Sequence, residues 1–334
     1  MGVFRLRKVL IRLICLGLFV FGIYLGVPQI EPLSYGSPLD MTKQGSDPVL
    51  TIRVYYAPEG KVLSMDLEEY VKGVVASEMP AAFSLEALKA QAVLARTNAV
   101  RKMRLLGGTP SRPDADVSSD YKVDQAWNPT EVLREKWGAL SFWLNWPKIE
   151  RACEETRGLI LMYGGSPCEA VFHSTCGGHT EAAKDVWGRD VPYLQSVACS
   201  FCQNSPYYKP QTVSIPLSQV SAALAQLGVS VPASAITANT IGVSQVSPTG
   251  RIKQVIVNGL SIRGLEFRTA LDLKSTMVSW TVRGGNMVFQ VRGYGHGVGM
   301  CQYGADGMAR QGRTFKEILA YYYPGTRLAG IFDE

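Results

Sequence analysis

The sequence predicts an α+β chain, with helices first and short strands later, carried on an N-terminal membrane anchor. Three observations predict it. Leu67, Tyr70, Val71, Val74 and Val75 recur at the i, i+3, i+4, i+7, i+8 spacing of a core-facing helix. Beyond Pro206, short apolar runs flank Asn258-Gly259 and Gly284-Gly285, the turn chemistry of antiparallel hairpins. Leu13 to Val27 is an apolar run without a charge, preceded by Arg5, Arg7, Lys8 and Arg12.

Taken in order, residues 1–28 read as a basic cytoplasmic stub and anchor. The run is short for a span, but Lys8 and Arg12 can snorkel to the cytoplasmic surface, and no A-x-A-like cleavage site follows. The run's length also suits the core of a cleaved signal peptide; the expectation is an uncleaved single pass through the cytoplasmic membrane with the rest of the chain outside. Residues 29–48, with Pro32, Pro38 and Pro48, read as a linker. Residues 49–334 form the extracytoplasmic region, long enough for a real core. Within it Asp66 to Met79 is a helix with a capping-box-like start, Asp66 followed by Glu69, and a stop at Pro80. Ser84 caps a second helix that Gly107 ends. A long loop follows to Asn128, then helices over 131–144 and 149–157, and strands over 159–163 and 169–173. The later part holds a helix over 217–227 and strands over 251–257, 260–263, 276–282 and 287–291. The catalytic helix described next packs on these short mixed or antiparallel strands.

One residue breaks the apolar stripe of the first helix. Position i+11 is Glu78. A carboxyl turned toward a core loses water, which disfavours its charged form and raises its pKa toward neutrality, as a general acid requires; the alternative is a Glu at a helix end that snorkels to solvent or pairs with a nearby Arg or Lys. On the second helix Lys89 and Arg96 are seven apart and share a face, either as the rim of a groove or as a solvated basic face.

The cysteines add a second constellation. Cys199-x-x-Cys202 faces a short loop holding His173, Cys176 and His179, and four of these five can close on one structural zinc; the alternative outside the cytoplasm is disulfides, Cys199 with Cys202 or Cys168 with Cys176. The third feature is Gly293 to Gly304, with five glycines, Tyr294, His296 and Tyr303 ahead of a helix. Glycines let backbone approach a ligand, and the helix start would offer N–H donors; a tight structural crossover explains the same glycines.

Composition excludes several classes. An apolar content of 46% argues against disorder, and the net charge of +6 is partly spent in the N-terminal stub. No basic stripe with interleaved aromatics occurs, so nucleic acid is not expected as a partner. No organic cofactor is expected.

Three segments carry a resemblance. LEEYVKGVVASEMPAAFSLEALKAQAVLARTNAV closely resembles the core signature of the stage II sporulation protein D family, bacterial cell-wall lytic transglycosylases of engulfment. AVFHSTCGGHTEAAKDVWGRDVPYLQSV resembles the family's HST-x-GG segment, and GYGHGVGMCQYGADGMARQG its C-terminal glycine-rich block. The resemblance runs from about Thr51 to Gly325; Cys301 departs from it, since Ser is expected there. It implies cleavage of the MurNAc-GlcNAc bond of peptidoglycan with a 1,6-anhydroMurNAc product. Glu78 would be the acid, with Lys89, Arg96, His173, Ser174, Tyr294 and His296 against the sugars, and in some members a zinc lies beside the HST loop. It also implies glycan strands without stem peptides as substrate, and a membrane-bound wall amidase and a membrane scaffold of the engulfment complex as partners. Related proteins are non-enzymatic enhancers of an N-acetylmuramoyl-L-alanine amidase. A zinc hydrolase is a further alternative, against which a closed thiolate site counts.

Overall fold

The computed structural model describes residues 49–333. The expected stub, anchor and linker lie outside the described residues, and among the described residues no helix is long and apolar enough to cross a membrane.

The first helix, α1 (Leu67–Glu78), forms as its periodicity requires: Tyr70, Val71, Val74 and Val75 are wholly buried. Asp66 caps it by accepting the N–H groups of Glu68 and Glu69 at 2.9 and 3.3 Å. The reciprocal half of the capping box is not made, because the Glu69 carboxylate pairs with Lys72 at 2.6 Å instead. Helix α2 (Leu85–Val100) packs on α1 and buries its small stripe of Leu88, Ala92, Ala95 and Ala99. It ends at Val100 rather than Gly107; a single 3-10 turn, Arg104–Leu106, intervenes before Gly107 turns the chain at φ +74°. Ser84 stands at the N-cap, yet its hydroxyl donates to Asp306 at 2.9 Å and caps no helical N–H.

Strands β1 (Thr51–Tyr56) and β2 (Lys61–Asp66) form a hairpin that leads into α1, and β3 (Val117–Ser118) adds to β1 in parallel. The segment between α2 and the next helix is then drawn across α1. The cause is Gly73: a Cβ there would sit 2.3 Å from the indole Nε1 of Trp127. Its absence admits the indole, which stacks on Tyr70 and meets Tyr56 edge-on.

Helices α3 (Thr130–Trp137) and α4 (Ala139–Glu154) differ from expectation in where they break. Gly138, at φ +76°, parts them, and α4 continues through Pro147. Strand β4 (Leu159–Tyr163) lies between the short β5 (Ser166–Pro167) and β14 (Arg327–Gly330). Of the strand expected over 169–173 only β6 (Phe172–His173) forms, paired in parallel with β13 (Met300–Cys301). The backbone of Ala170 is satisfied by the Asn98 side-chain amide, at 3.0 and 2.9 Å, in place of a strand neighbour.

A second core is inserted between Pro206 and Arg292. It comprises β7 (Gln211–Pro216), α6 (Leu217–Gln226), β8 (Ile241–Val246), β9 (Ile252–Val257), β10 (Leu260–Arg263), α7 (Gly264–Ala270), β11 (Met277–Arg283) and β12 (Asn286–Arg292), with the short α5 (Ala183–Trp187) preceding it in the first core. Both hairpins form as the turn residues require: Asn258 and Gly259 have φ of 51° and 80°, Gly284 and Gly285 of 56° and 76°. The chain then returns to the first core through the glycine-rich segment, α8 (Gln302–Arg310) and α9 (Phe315–Tyr322). Arg292 ties exit to entry by donating to the Tyr208 carbonyl at 3.0 Å.

Candidate active site and thiol cluster

Glu78 occupies the last turn of α1 and opens into a cleft of about 620 Å³. The walls include the end of α1, the Tyr121 to Ala126 segment, the His173-Ser174 loop and the glycine-rich segment with Tyr294 and His296, with Asn98, Tyr207, Arg268 and Tyr303 contributed from elsewhere. Burial pushes the Glu78 carboxyl up to about 7. One hydrogen bond opposes this, from the backbone N–H of Ala126 to Oε1 at 2.6 Å. No cation pairs with it among the described residues. The group is therefore protonated in part near neutrality and aimed into the cleft.

Asp124 is the other carboxylate of the cleft, and its oxygens are engaged. Ser111 donates to Oδ1 at 2.7 Å and the Ser118 N–H to Oδ2 at 2.7 Å, with Lys102 at 3.5 Å. Asp124, Gln125 and Ala126 all lie in the segment expected to be plain loop. Its length was the only sequence signal of a role.

His173 is buried, and its Nδ1 lies 3.1 Å from the Val298 carbonyl, which can only accept. Nδ1 therefore carries the hydrogen and Nε2 presents a lone pair, which has no partner among the described residues. Burial, with His296 and the Arg251 guanidinium close by, holds His173 well below the usual imidazole range. His296 is likewise pushed down to about 4 by burial and by Arg268 and Arg251. Its Nδ1 accepts the Val298 N–H at 3.1 Å, so it braces the loop. Both imidazoles are neutral at pH 7. Ser174, Tyr294, Tyr207 and Tyr303 complete a polar and aromatic lining, with Tyr207 and Tyr294 edge-to-face at 4.9 Å.

The glycine-rich segment runs back-to-back with the His173 strand, and this decides its glycines. At Gly295 (φ +108°) a Cβ would meet Cβ of His173 at 2.7 Å, and at Gly299 (φ +71°) the Val171 carbonyl at 2.0 Å. The start of α8 does not offer free donors as expected. Tyr303 N–H goes to the Ser174 carbonyl at 3.1 Å, and Gly304 N–H to the Cys301 sulfur at 3.3 Å. Arg251, buried beneath, donates to the Cys176 carbonyl at 2.6 Å and to Ser275 at 2.7 Å, and faces Glu181 at 3.5 Å. Burial pushes Glu181 up to about 7 against the pull of Arg251.

Two sequence-selected cations lie elsewhere. Arg96 is wholly buried and grips the Glu68 carboxylate with two nitrogens, at 2.7 and 2.6 Å. Lys89 bridges Glu86 and Glu155 at 2.6 and 2.5 Å. Neither lines the cleft. Their seven-residue spacing shares a face, but that face turns toward Glu68 of α1, Glu86 of α2 itself and Glu155 just past α4.

The thiols gather, in a set that differs from the expected one. Cys176, Cys199, Cys202 and Cys301 are all buried, with their sulfurs within 4.8 Å of one another. Cys301 takes the fourth place. His173 serves the cleft, and His179 is exposed outside the group. The six cysteines among the described residues are free thiols, so neither anticipated disulfide forms. The donor set suits a soft tetrahedral ion: Zn–S bonds of about 2.3 Å place sulfurs about 3.8 Å apart. Cys176 and Cys202 stand at 3.5 Å, and backbone N–H groups of Cys176 and Gly178 point at sulfurs, as bound thiolates require. Four protein ligands would leave no open position.

A half-buried acid in a cleft of about 620 Å³, with neutral imidazoles and tyrosines around it, marks a candidate active site on an α+β fold. The family model for SpoIID, Stage II sporulation protein, matches residues 56–163. The chain is 38% identical to Stage II sporulation protein D of Bacillus subtilis over 84% of this chain and 79% of the relative. It is 37% identical to the Bacillus amyloliquefaciens protein of that name, over 86% and 82%. The Bacillus subtilis protein named Amidase enhancer is 30% identical, covering 77% of this chain and 40% of that relative. The chain belongs to the Stage II sporulation protein D family.

Proposed function

We propose that the chain is a lytic transglycosylase that cleaves the glycan strands of peptidoglycan during engulfment in sporulation. The observation that carries this is Glu78: one acid with its pKa raised to about 7, in a cleft whose other carboxylate is fully engaged. Hydrolysis of a glycoside ordinarily needs two working carboxylates. A transglycosylase needs one, because the C6 hydroxyl of the muramyl residue attacks its own C1, and its positioning replaces an activated water. Glu78 protonates the bridging oxygen as the C1–O bond breaks, then regains a proton from O6 as the O6–C1 bond forms. Ser174 accepts from and donates to sugar hydroxyls, His173, whose Nε2 is shut off beneath the surface, shapes the wall behind it, and Tyr207, Tyr294 and Tyr303 pack against ring faces. Mass spectrometry of fragments released from amidase-treated wall tests this: 1,6-anhydro-muramyl ends support it, and reducing ends or intact strands count against it.

The thiol group reads best as a structural zinc site. The ion would tie the Cys176 loop, the Cys199 turn and the start of α8 together behind the cleft. Residues 1–28 would hold the protein to the outer face of the cytoplasmic membrane, beside a wall amidase and a membrane scaffold; membranes that lose the protein in a high-salt wash would count against it. The second reading, a non-enzymatic enhancer of an amidase, is favoured by the 30% identical Amidase enhancer. It predicts wall binding without anhydro products.

A further inference from the structure

The cleft does not end at Glu78. A second cavity of about 330 Å³ shares the walls Asn98, Asp124, Gln125 and Val171 with it. Asn98, clamped to the Ala170 backbone, and the Asp124–Gln125 pair, one residue from the Ala126 N–H on Glu78, make a rigid partition between the two. The new cavity is lined by three cations, Arg101, Lys102 and Arg189, against two acids, Asp124 and Glu169. The acids are spoken for: Lys102 faces Asp124 at 3.5 Å, and Arg189 pairs with Glu169. One positive charge is left over. Arg101 forms no ion pair with any described residue, while its backbone is pinned at the end of α2, N–H to the Thr97 carbonyl at 3.1 Å and carbonyl to the Thr109 N–H at 3.0 Å.

An unpaired guanidinium on a fixed backbone, in a pocket that shares a wall with the catalytic cleft, is suited to receive an anion bidentately. We infer that Arg101 forms a subsite for the carboxylate of a 3-O-lactyl ether on a sugar next to the scissile one. The inference rests on the glycan reading proposed above. A free lactyl group carries a full charge, whereas a lactyl group in amide linkage to a stem peptide carries none. Arg101 is thereby the residue that distinguishes bare strands from peptide-bearing ones.

The test uses the full-length chain with Glu78→Gln, so that bound strands stay intact, and soluble strands in three forms: lactyl carboxylate free, lactyl carboxylate converted to the methylamide, and stem peptides retained. Fluorescence anisotropy should give a Kd about tenfold lower for the free carboxylate than for the methylamide, the scale of one charge-assisted contact. Arg101→Gln should erase that ratio and Arg101→Lys should keep part of it. A ratio unchanged in Arg101→Gln, or no binding of any strand, overturns the subsite. Peptide-bearing strands that bind as tightly as bare ones through Arg101 would assign the anion to the peptide and overturn it too. Because binding is read without turnover, failure to find anhydro ends with Glu78 intact would count against the transglycosylase and leave the ratio to decide the subsite.

Discussion

The backbone N–H of Ala126 lies 2.6 Å from Oε1 of Glu78, joining two residues forty-eight apart in sequence. It orients the acid without fixing its charge: one neutral donor stabilises the carboxylate less than burial disfavours it, so the pKa still ends near 7. A cation in that place would have held the proton off. The arrangement depends on Gly73, which lets Trp127 settle on α1 and carries Ala126 over the acid.

Replacing Glu78 by Gln keeps the shape and removes the proton. Turnover of denuded strands should fall by about 10²–10⁴-fold, the range for a general acid, with the melting temperature retained. Anhydro-ended fragments released at the parental rate would refute the assignment. Gly73→Ala should also lower turnover with Glu78 intact, because the indole and Ala126 must move together.

The pH dependence follows from two carboxyls raised from 4.5 to about 7, Glu78 and Glu181. The folded state holds these protons more tightly than the unfolded chain. Stability is therefore highest at acid pH with respect to them, and falls as pH rises from the unfolded value through about 7. Urea midpoints measured across that window should decline, and Glu78→Gln should flatten part of the slope. Turnover should decline above about 7 for the same reason, as the acid loses its proton.

The buried Arg96 makes a stability prediction where a substrate contact was expected. Arg96→Met leaves the Glu68 carboxylate buried without its partner, which costs about 3–5 kcal/mol. Pairing it with Glu68→Gln should recover much of the loss, as chemical denaturation can show. Lys89→Ala should leave turnover unchanged, since Lys89 meets Glu86 and Glu155 and no part of the cleft.

Metal analysis separates the two ligand sets. Purified protein should hold about one zinc per chain, and chelation should lower its melting temperature, because binding energy at a structural site is folding energy. Cys301→Ser should lose most of the metal, and His179→Ala should keep it. Retention of zinc in Cys301→Ser with loss in His179→Ala would restore the histidine set.

Sequence alone determined what depends on near neighbours. The apolar stripe of α1, the anomalous Glu78 upon it, the two hairpins at Asn258-Gly259 and Gly284-Gly285, and the change of texture after Pro206 are all encoded in local spacing and turn chemistry. The three motif blocks were legible in the same way, since each is a run of adjacent residues. Tertiary structure decided which faces meet. Helical periodicity put Lys89 and Arg96 on one face but could not say that Glu68, Glu86 and Glu155 would occupy it. Spacing paired Cys199 with Cys202 and set them against the Cys176 loop, but Cys301 reaches them only because β13 lies in parallel beside β6, a contact 125 residues apart in sequence between Cys176 and Cys301. The grip on Glu78, and one wall of the cationic cavity beyond it, arise from a segment with no periodicity, drawn over α1 by a glycine that lacks a side chain. Local sequence fixes the torsions and the polarity of each segment; contacts between segments are settled by packing, where every side chain competes for the same volume.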